Sequence, residues 1–222
     1  MILAIDSSTQ WVGIALFDGN MIRYEKTWKT SRRHTVELSP AIANAFEECQ
    51  LFPQDLNAVA IALGPGSFTS LRIGLSIAKG FALAQHIPII AVPSLDILAN
   101  GIPVADKPLI CTLRAGRGRL AAQVYQNENN CWISKGELMV TNADELESMI
   151  TKPTIICGEL TTDERQTVSR RWRNAHIVDP PLNIRRPSIL AFMASKKLEA
   201  GTTSNSATIS PIYLRTVKNV DH

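Results

Sequence analysis

The sequence predicts an α/β protein built from two copies of one unit, each with the element order β-β-β-α-β-α-β-α. Short apolar segments of strand length alternate with longer segments whose apolar residues recur at steps of three and four. The order of these segments in residues 1–100 recurs in residues 108–200. The two copies share no residue-level repeat, so the prediction of a duplication depends on element order alone.

The first unit opens with predicted strands at 2–6, 11–17 and 21–28, the last two joined by a hairpin turn at Asp18-Gly19-Asn20. A helix is predicted over 35–49 because its apolar residues fall on one face, with Pro40 accommodated in the first turn, where a missing N–H costs little. The remaining elements are an entirely apolar and therefore central strand at 58–63, a helix at 68–85, a strand at 87–92 and a short helix from Ser94.

The second unit follows a joint that contains Gly101 and Pro103. Its predicted elements are strands at 109–113, 120–125 and 132–140, a helix at 143–150, a strand at 154–157, a helix at 161–173, a strand at 176–178 and a helix at 187–200. We therefore divide the chain into an N-terminal domain, residues 1–102, and a smaller C-terminal domain with an extended tail, residues 103–222.

The composition narrows the class of protein. The 222 residues are 45% hydrophobic and 19% charged, with a net charge of +3, which is enough apolar surface for a core and too little charge for a dedicated nucleic-acid binder. Two basic clusters could contact RNA, although solvated surface charge is the favoured interpretation. They are Arg114, Arg117 and Arg119, and Arg170, Arg171 and Arg173.

The sequence also predicts a cytoplasmic protein with no membrane segment. Unlike a signal peptide, the apolar N-terminal segment is not preceded by basic residues, and it soon reaches Asp6. No apolar run approaches the ~20 residues of a membrane helix. Four scattered cysteines, each within an apolar run, are expected to be buried reduced thiols. They are Cys49, Cys111, Cys131 and Cys157.

Two loops are candidates for binding phosphate. Asp6, Ser7, Ser8 and Thr9 follow the first strand and offer one carboxylate, three hydroxyl groups and a row of turn amides, although the same residues also form ordinary turns. The matching loop of the second unit has Arg114 where a metal-holding Asp would be expected. Metal-assisted phosphoryl transfer is thereby disfavoured, and direct pairing of arginine with phosphate stays open.

The segment GPGSFTSLRIG, residues 64–74, is more distinctive. Its glycines permit positive φ around a proline, and Ser67 or Thr69 could cap the helix that follows. Gly74 and Gly80 lie inside that helix, where glycine costs ~1 kcal/mol relative to alanine. They indicate a close approach by another backbone, either that of the protein's own sheet or that of a second subunit, and we favour the subunit.

Catalytic and metal-binding patterns are missing from the sequence. The histidines at 34, 86, 176 and 222 share no helical spacing, and no carboxylate pair completes a site. His34 precedes the first helix, where it is expected to be a cap or a contact. We therefore predict no catalytic residue, no metal and no cofactor, with weak nucleotide binding left open.

Four segments together resemble the TsaB (YeaZ) family, which is required for threonylcarbamoyladenosine in transfer RNA. They are ILAIDSST near the start, HTVEL from His34, GPGSFTSLRIGLSIAKG at 64–80 and PIYLR at 211–215. The resemblance implies an actin-like ATPase and sugar-kinase (RNase H-like) fold. It also implies a degenerate paralogue of the TsaD transferase, because Ser94 and Leu98 stand where that enzyme has two metal-binding histidines. The second loop departs from the family, with arginines in place of an Asp and a Glu.

The resemblance further implies a set of partners. Family members pair with TsaD through the two helices of the N-terminal domain, can self-associate through the same surface when alone, and are joined by the ATPase TsaE, with tRNA bound only through the complex. Carried over residue by residue, the partner-binding positions are His34, Glu37, Leu38, Ala41, Ala45, Phe68, Leu71, Arg72, Leu75 and Lys79.

A non-catalytic subunit that activates TsaD is the function predicted from these residues. The alternative is an active phosphotransferase of the sugar-kinase type, which would require carboxylates in both phosphate loops. A metallopeptidase is disfavoured because the sequence offers no ligands for its metal.

Overall fold

Two five-stranded mixed sheets form the framework of the protein. A computed structural model describes residues 1–31, 33–116, 118–171 and 173–214. The first sheet contains β1 (Ile2–Asp6), β2 (Trp11–Phe17), β3 (Ile22–Lys29), β4 (Ala58–Ala62) and β5 (Ile89–Val92). The second contains β6 (Leu109–Gly116), β7 (Arg119–Glu128), β8 (Cys131–Thr141), β9 (Thr154–Gly158) and β10 (Ala175–Ile177). Arg117, Arg215 and His222, singled out from the sequence, lie outside the described residues.

The two sheets have the same topology. Their strand orders are β3-β2-β1-β4-β5 and β8-β7-β6-β9-β10, and in each the first three strands of the chain order pair antiparallel while the later strands join in parallel. The duplication predicted from element order is therefore confirmed in the architecture, although the two halves share no residue-level repeat.

Within the described ranges, six α-helices cover the sheets. They are α1 (His34–Glu48), α2 (Phe68–Gln85), α3 (Ser94–Ala99), α4 (Ala143–Met149), α5 (Thr162–Ser169) and α6 (Pro187–Glu199). Two details of the prediction are wrong. Pro40 lies beyond the first turn of α1, where its side chain is exposed to solvent. The helix predicted to reach residue 173 ends at Ser169, where Arg170 caps it.

The first sheet is covered on both faces. Helices α1 and α2 pack on one face, where Leu38 and Leu75 join the core with Ile5. Helix α6 packs on the other face, with Leu190 and Ala194 against the strands. The predicted domain boundary falls between the two sheets in the sequence. Helix α6 does not follow this division, because it comes after the second sheet in the sequence but packs on the first.

The connections between the halves position a cleft. Helix α3 leaves the first sheet and packs Leu95 and Leu98 against the core of the second, and the chain returns to the first sheet in α6. The segment after α6 continues along the first sheet, where the Ser204 amide donates to the Ile89 carbonyl at 2.8 Å. Among the residues described, none of the helices combines the length and apolar character that a bilayer span requires.

Candidate functional site

The loop between β1 and β2 is closed in on itself. Asp6, Ser7, Ser8 and Thr9 are all buried. The Asp6 carboxylate accepts a hydrogen bond from the Ser8 amide at 2.9 Å, and the Ser7 hydroxyl donates to the Ser70 carbonyl of α2 at 2.8 Å. Of these four side chains, Thr9 is the one that lines the cleft. The hydroxyl groups proposed from the sequence to meet a phosphate are therefore largely committed to internal contacts.

The glycine-rich turn before α2 packs directly on this loop. The Ser67 amide donates to the Ser8 carbonyl at 2.7 Å, and a Cβ added to Gly66 would lie 2.1 Å from that carbonyl oxygen. Ser67 occupies the N-cap position, but its hydroxyl accepts a hydrogen bond from the Ser70 hydroxyl at 2.9 Å instead of from a backbone amide, so the expected side-chain cap is wrong. The GPGSFT motif therefore joins two loops of the same half.

The two mid-helix glycines have different surroundings. A Cβ on Gly74 would lie 2.2 Å from the Ser7 hydroxyl and 3.2 Å from its Cβ, whereas a Cβ on Gly80 would meet no described atom within 4 Å. The close approach at Gly74 is therefore made by the chain's own loop. Gly80 leaves an open, exposed position on α2.

Arg185 lies at the centre of the buried polar network, and the sequence analysis missed it. Its guanidinium donates to Asp6 at 2.7 Å, to Glu159 at 2.8 Å and to the Thr9 hydroxyl at 2.9 Å, with its side chain only 1% exposed. Burial acts to lower the pKa of Arg185, but the adjacent carboxylates of Asp6 and Glu159 outweigh it and raise that pKa. The guanidinium is thus charged and fully engaged with both halves of the molecule.

Glu159 reaches across from the second half. It follows Gly158, whose backbone has φ +123° and approaches β6 so closely that an added Cβ would lie 1.9 Å from the Thr112 carbonyl oxygen. The Glu159 carboxylate accepts hydrogen bonds from the Thr9 hydroxyl at 2.6 Å and from the Arg114 amide at 3.3 Å. The glycine that ends β9 therefore allows close strand packing and directs the Glu159 carboxylate towards the first half.

The second candidate phosphate loop is also internally paired. The Arg114 guanidinium forms an ion pair with Glu164, with N–O distances of 2.6 and 2.7 Å. Burial acts to raise the pKa of Glu164, but the bonds from Arg114 and from the Thr161 amide outweigh it and lower that pKa. The arginine that could have met a phosphate thus carries a fixed counter-ion within its own half. The other basic cluster pairs likewise: Arg170 with Asp144, and Arg171 with Glu147.

A cleft of about 1130 Å³ lies between the two halves. Its lining includes residues from both sheets and from the tail: Thr9, Trp11, Lys29, His34, Phe68, Arg114, Glu159, Arg165 and Tyr213. His34 is buried and its Nε2 lies 2.9 Å from the Thr9 carbonyl oxygen, so the predicted role as a structural contact is confirmed. The cleft combines aromatic and cationic side chains, and the Glu159 carboxylate in its lining is paired with Arg185.

The described residues offer no cluster of three or more histidine, cysteine or acidic side chains that could hold a metal. All four cysteines are free. Cys111 and Cys157 are buried and their sulfur atoms lie 3.3 Å apart. The prediction of burial is wrong for Cys131, which is exposed because it opens the edge strand β8, and Cys49 is only partly buried.

The ten predicted partner-binding residues separate into three groups by burial. Six of the side chains are buried in the chain's own fold, because the apolar faces of α1 and α2 lie on the first sheet: His34, Leu38, Ala41, Ala45, Leu71 and Leu75. Phe68 and Arg72 are exposed and stacked, with the guanidinium carbon 3.7 Å from the ring centroid, and Arg72 also donates to the Tyr213 hydroxyl at 2.9 Å. Glu37 and Lys79 are partly buried.

Known proteins resemble this chain along most of its length. The family model described as "TsaD: tRNA N6-adenosine threonylcarbamoyltransferase" matches residues 28–163. The tRNA threonylcarbamoyladenosine biosynthesis protein TsaB of Bacillus subtilis (strain 168) is 30% identical over 218 residues, covering 96% of this chain and 93% of that protein. The chain belongs to the TsaB family. The TsaB protein of Escherichia coli (strain K12) is 30% identical over 175 residues, covering 77% of this chain and 68% of that protein.

Solved structures agree on the fold. A Pseudomonas aeruginosa protein described as having similarity to peptidase YEAZ superposes with a TM-score of 0.78 at 21% identity, over 96% of this chain and 99% of the other. The ROK hexokinase of Thermus thermophilus superposes with a TM-score of 0.50 at 9% identity, over 90% and 99%. The prediction of an actin-like ATPase and sugar-kinase fold is therefore confirmed.

Proposed function

We propose that this chain is a non-catalytic subunit that binds and activates the TsaD transferase during threonylcarbamoyladenosine synthesis in tRNA. Membership of the TsaB family connects the chain with this modification. The observation that carries the non-catalytic role is the ion pair of Asp6 with Arg185 at 2.7 Å, in a buried network in which the same guanidinium also pairs with Glu159. A carboxylate committed to an internal guanidinium is not free to hold a metal-bound phosphate.

The residues at the transferase's metal position do not fit a metal. The resemblance aligns Ser94 and Leu98 with the two metal-binding histidines of TsaD. The Ser94 and Ser8 hydroxyl oxygens lie 2.6 Å apart, and Ser94 also accepts a hydrogen bond from the Gly64 amide at 3.0 Å. Leu98 is buried in the core beside the second sheet. A fully engaged hydroxyl and an aliphatic side chain cannot replace imidazole ligands, which supports a scaffold over a transferase.

The outer face of α1 and α2, which we call the docking face, is the surface that we assign to TsaD. It contains a shallow groove of about 470 Å³ lined by Thr35, Ser39, Phe68, Thr69, Arg72, Ile73, Ser76 and Ile77. Val36 and Leu83 are also exposed, at 59% and 78%. Small residues at Ser76 and Gly80 let a partner helix approach closely, and the apolar side chains around them supply area to bury.

In this proposal, the six buried residues of the predicted set do not contact TsaD themselves. They fix α1 and α2 on the first sheet, and the exposed residues of the same helices make the contacts. Self-association of the chain alone through this face, recruitment of TsaE and contact with tRNA through the assembled complex belong to the same proposal.

An active phosphotransferase is less well supported. Its second loop would need a carboxylate to hold a metal, and here Arg114 is bound to Glu164. Substantial ATP hydrolysis by the purified chain alone would support that alternative and contradict the scaffold.

Ser76→Arg tests the docking face. Ser76 is exposed and lines the groove, so the substitution leaves the fold intact and places an unpaired charge in the proposed contact. We expect binding to TsaD of the same organism to weaken by about 100-fold or more, since a desolvated unpaired charge costs several kcal/mol. Ser148→Arg, the same substitution on exposed α4, is the matched control. Size-exclusion chromatography of each mixture measures pairing, and wild-type elution for Ser76→Arg would contradict the assignment.

A further inference from the structure

Arg185 connects parts of the chain that no other described arginine joins in this way. It precedes α6, and it bonds Asp6, Thr9 and the Trp11 carbonyl of the first half together with Glu159 of the second. The guanidinium nitrogens lie 2.7 Å from the Asp6 carboxylate, 2.9 Å from the Thr9 hydroxyl, 3.3 Å from the Trp11 carbonyl oxygen and 2.8 Å from the Glu159 carboxylate. Three of the side chains in this cluster, Arg185, Asp6 and Thr9, are almost completely buried. Such a network uses most of the five N–H donors that a guanidinium has.

We propose that Arg185 is a latch that holds the two halves of the molecule in one fixed arrangement, acting between the loops where a bound cation and phosphate would otherwise act. Asp6 and Glu159 come from different sheets and converge on one guanidinium. Without a cation between them, two buried carboxylates would repel each other and lose their solvation. The position of Arg185 therefore sets how far the halves can separate.

The latch has a functional consequence for this fold. A cleft between two such halves can be closed by a ligand that contacts both, and its shape then depends on whether that ligand is bound. Here the contacts to both halves come from the chain itself. The opening of the cleft is therefore constant, with or without nucleotide.

Glu159→Gln is the first test because it removes the charge from the second-half arm of the latch while keeping the volume of the side chain. The reporter is the backbone amide of Trp11, which donates at 3.2 Å to the Thr9 hydroxyl, the first-half group that contacts Glu159 of the second half. We expect hydrogen exchange at this amide to accelerate by about tenfold or more as the halves separate. Exchange in the central strand β4 should be unchanged, since that strand lies within one half.

Arg186→Met is the matched control. Arg186 is the neighbouring residue and forms an ion pair of similar length, 2.8 Å, with Glu25, but its side chain is 63% exposed and both partners belong to elements on the first sheet. We expect this variant to keep wild-type exchange at Trp11. An acceleration equal to that of Glu159→Gln would overturn the latch, because loss of any ion pair near α6 would then have the same effect.

A second variant covers the case in which single substitutions unfold the protein. The triple variant Asp6→Asn/Glu159→Gln/Arg185→Met removes every charge of the latch and leaves none buried without a partner. We expect it to fold, with protected β4 amides and rapid exchange at Trp11. Wild-type protection at that amide in the folded triple variant would show that packing holds the halves together without the latch. These measurements use the chain alone, so they do not depend on TsaD binding.

Discussion

Gly74 and Gly80 of α2 lie in one helix, yet the same substitution should change stability in opposite directions. Alanine has a helix propensity about 1 kcal/mol better than glycine. At Gly80 an added Cβ meets no described atom within 4 Å, so we expect Gly80→Ala to raise the free energy of unfolding by about 0.5–1 kcal/mol.

At Gly74 the gain in helix propensity is outweighed by the loop beneath. The added Cβ would lie 2.2 Å from the Ser7 hydroxyl oxygen, so Ser7 must rotate and lose its 2.8 Å hydrogen bond to the Ser70 carbonyl. A buried hydroxyl left without a partner costs about 1–3 kcal/mol, and the remaining 3.2 Å contact between Cβ atoms adds about 1–3 kcal/mol of overpacking. The net effect of Gly74→Ala is therefore a loss of about 1–5 kcal/mol.

Urea unfolding of both variants beside the wild type, followed by circular dichroism, measures the two free energies. The denaturant slope should stay constant, so that shifts in midpoint report stability alone. A Gly74→Ala variant at least as stable as the wild type would refute the close contact between α2 and the loop after β1. Destabilisation by Gly80→Ala would refute the open environment of the outer helix face.

Two further predictions follow from burial. Leu75→Arg should unfold the protein instead of merely blocking association, because Leu75 is 6% exposed beneath α2 and the new charge would have no partner; a folded monomer by circular dichroism would contradict its place in the core. Burial raises the pKa of Asp96 above its ordinary value of 3.8, so folding takes up a proton between the two values and stability falls as pH rises through that window. Asp96→Asn should therefore be more stable than the wild type at pH 7, with the advantage fading below the ordinary pKa; a pH-independent difference in urea midpoints would contradict this sign.

The strand and helix order could be predicted from the sequence because apolar periodicity records which face of each element is buried. Periodicity does not record what covers that face. The three- and four-residue spacing of Leu38, Ala41 and Ala45 predicted α1 correctly. The same spacing is equally compatible with an apolar face that packs on a partner and with one that packs on the protein's own sheet. The exposed positions between them, such as Val36, became informative only when the packing of α1 was known.

The buried network could not be predicted for a different reason. Asp6 was recognised because it ends an apolar strand beside hydroxyl residues, which is a local pattern. Arg185 stands in the segment Ile184-Arg185-Arg186-Pro187, where two adjacent arginines look alike. One of them is buried with two carboxylates and the other is mostly exposed. Contacts between residues 179 positions apart leave no spacing in a single sequence.

Threonylcarbamoyl transfer to tRNA, reconstituted with TsaD and the other proteins of the pathway from the same organism, tests the central claim most directly. We expect transfer to require this chain, to persist with Ser148→Arg and to be lost with Ser76→Arg. Transfer by this chain without TsaD, or full transfer with Ser76→Arg, would contradict a scaffold that acts through the outer surface of α1 and α2.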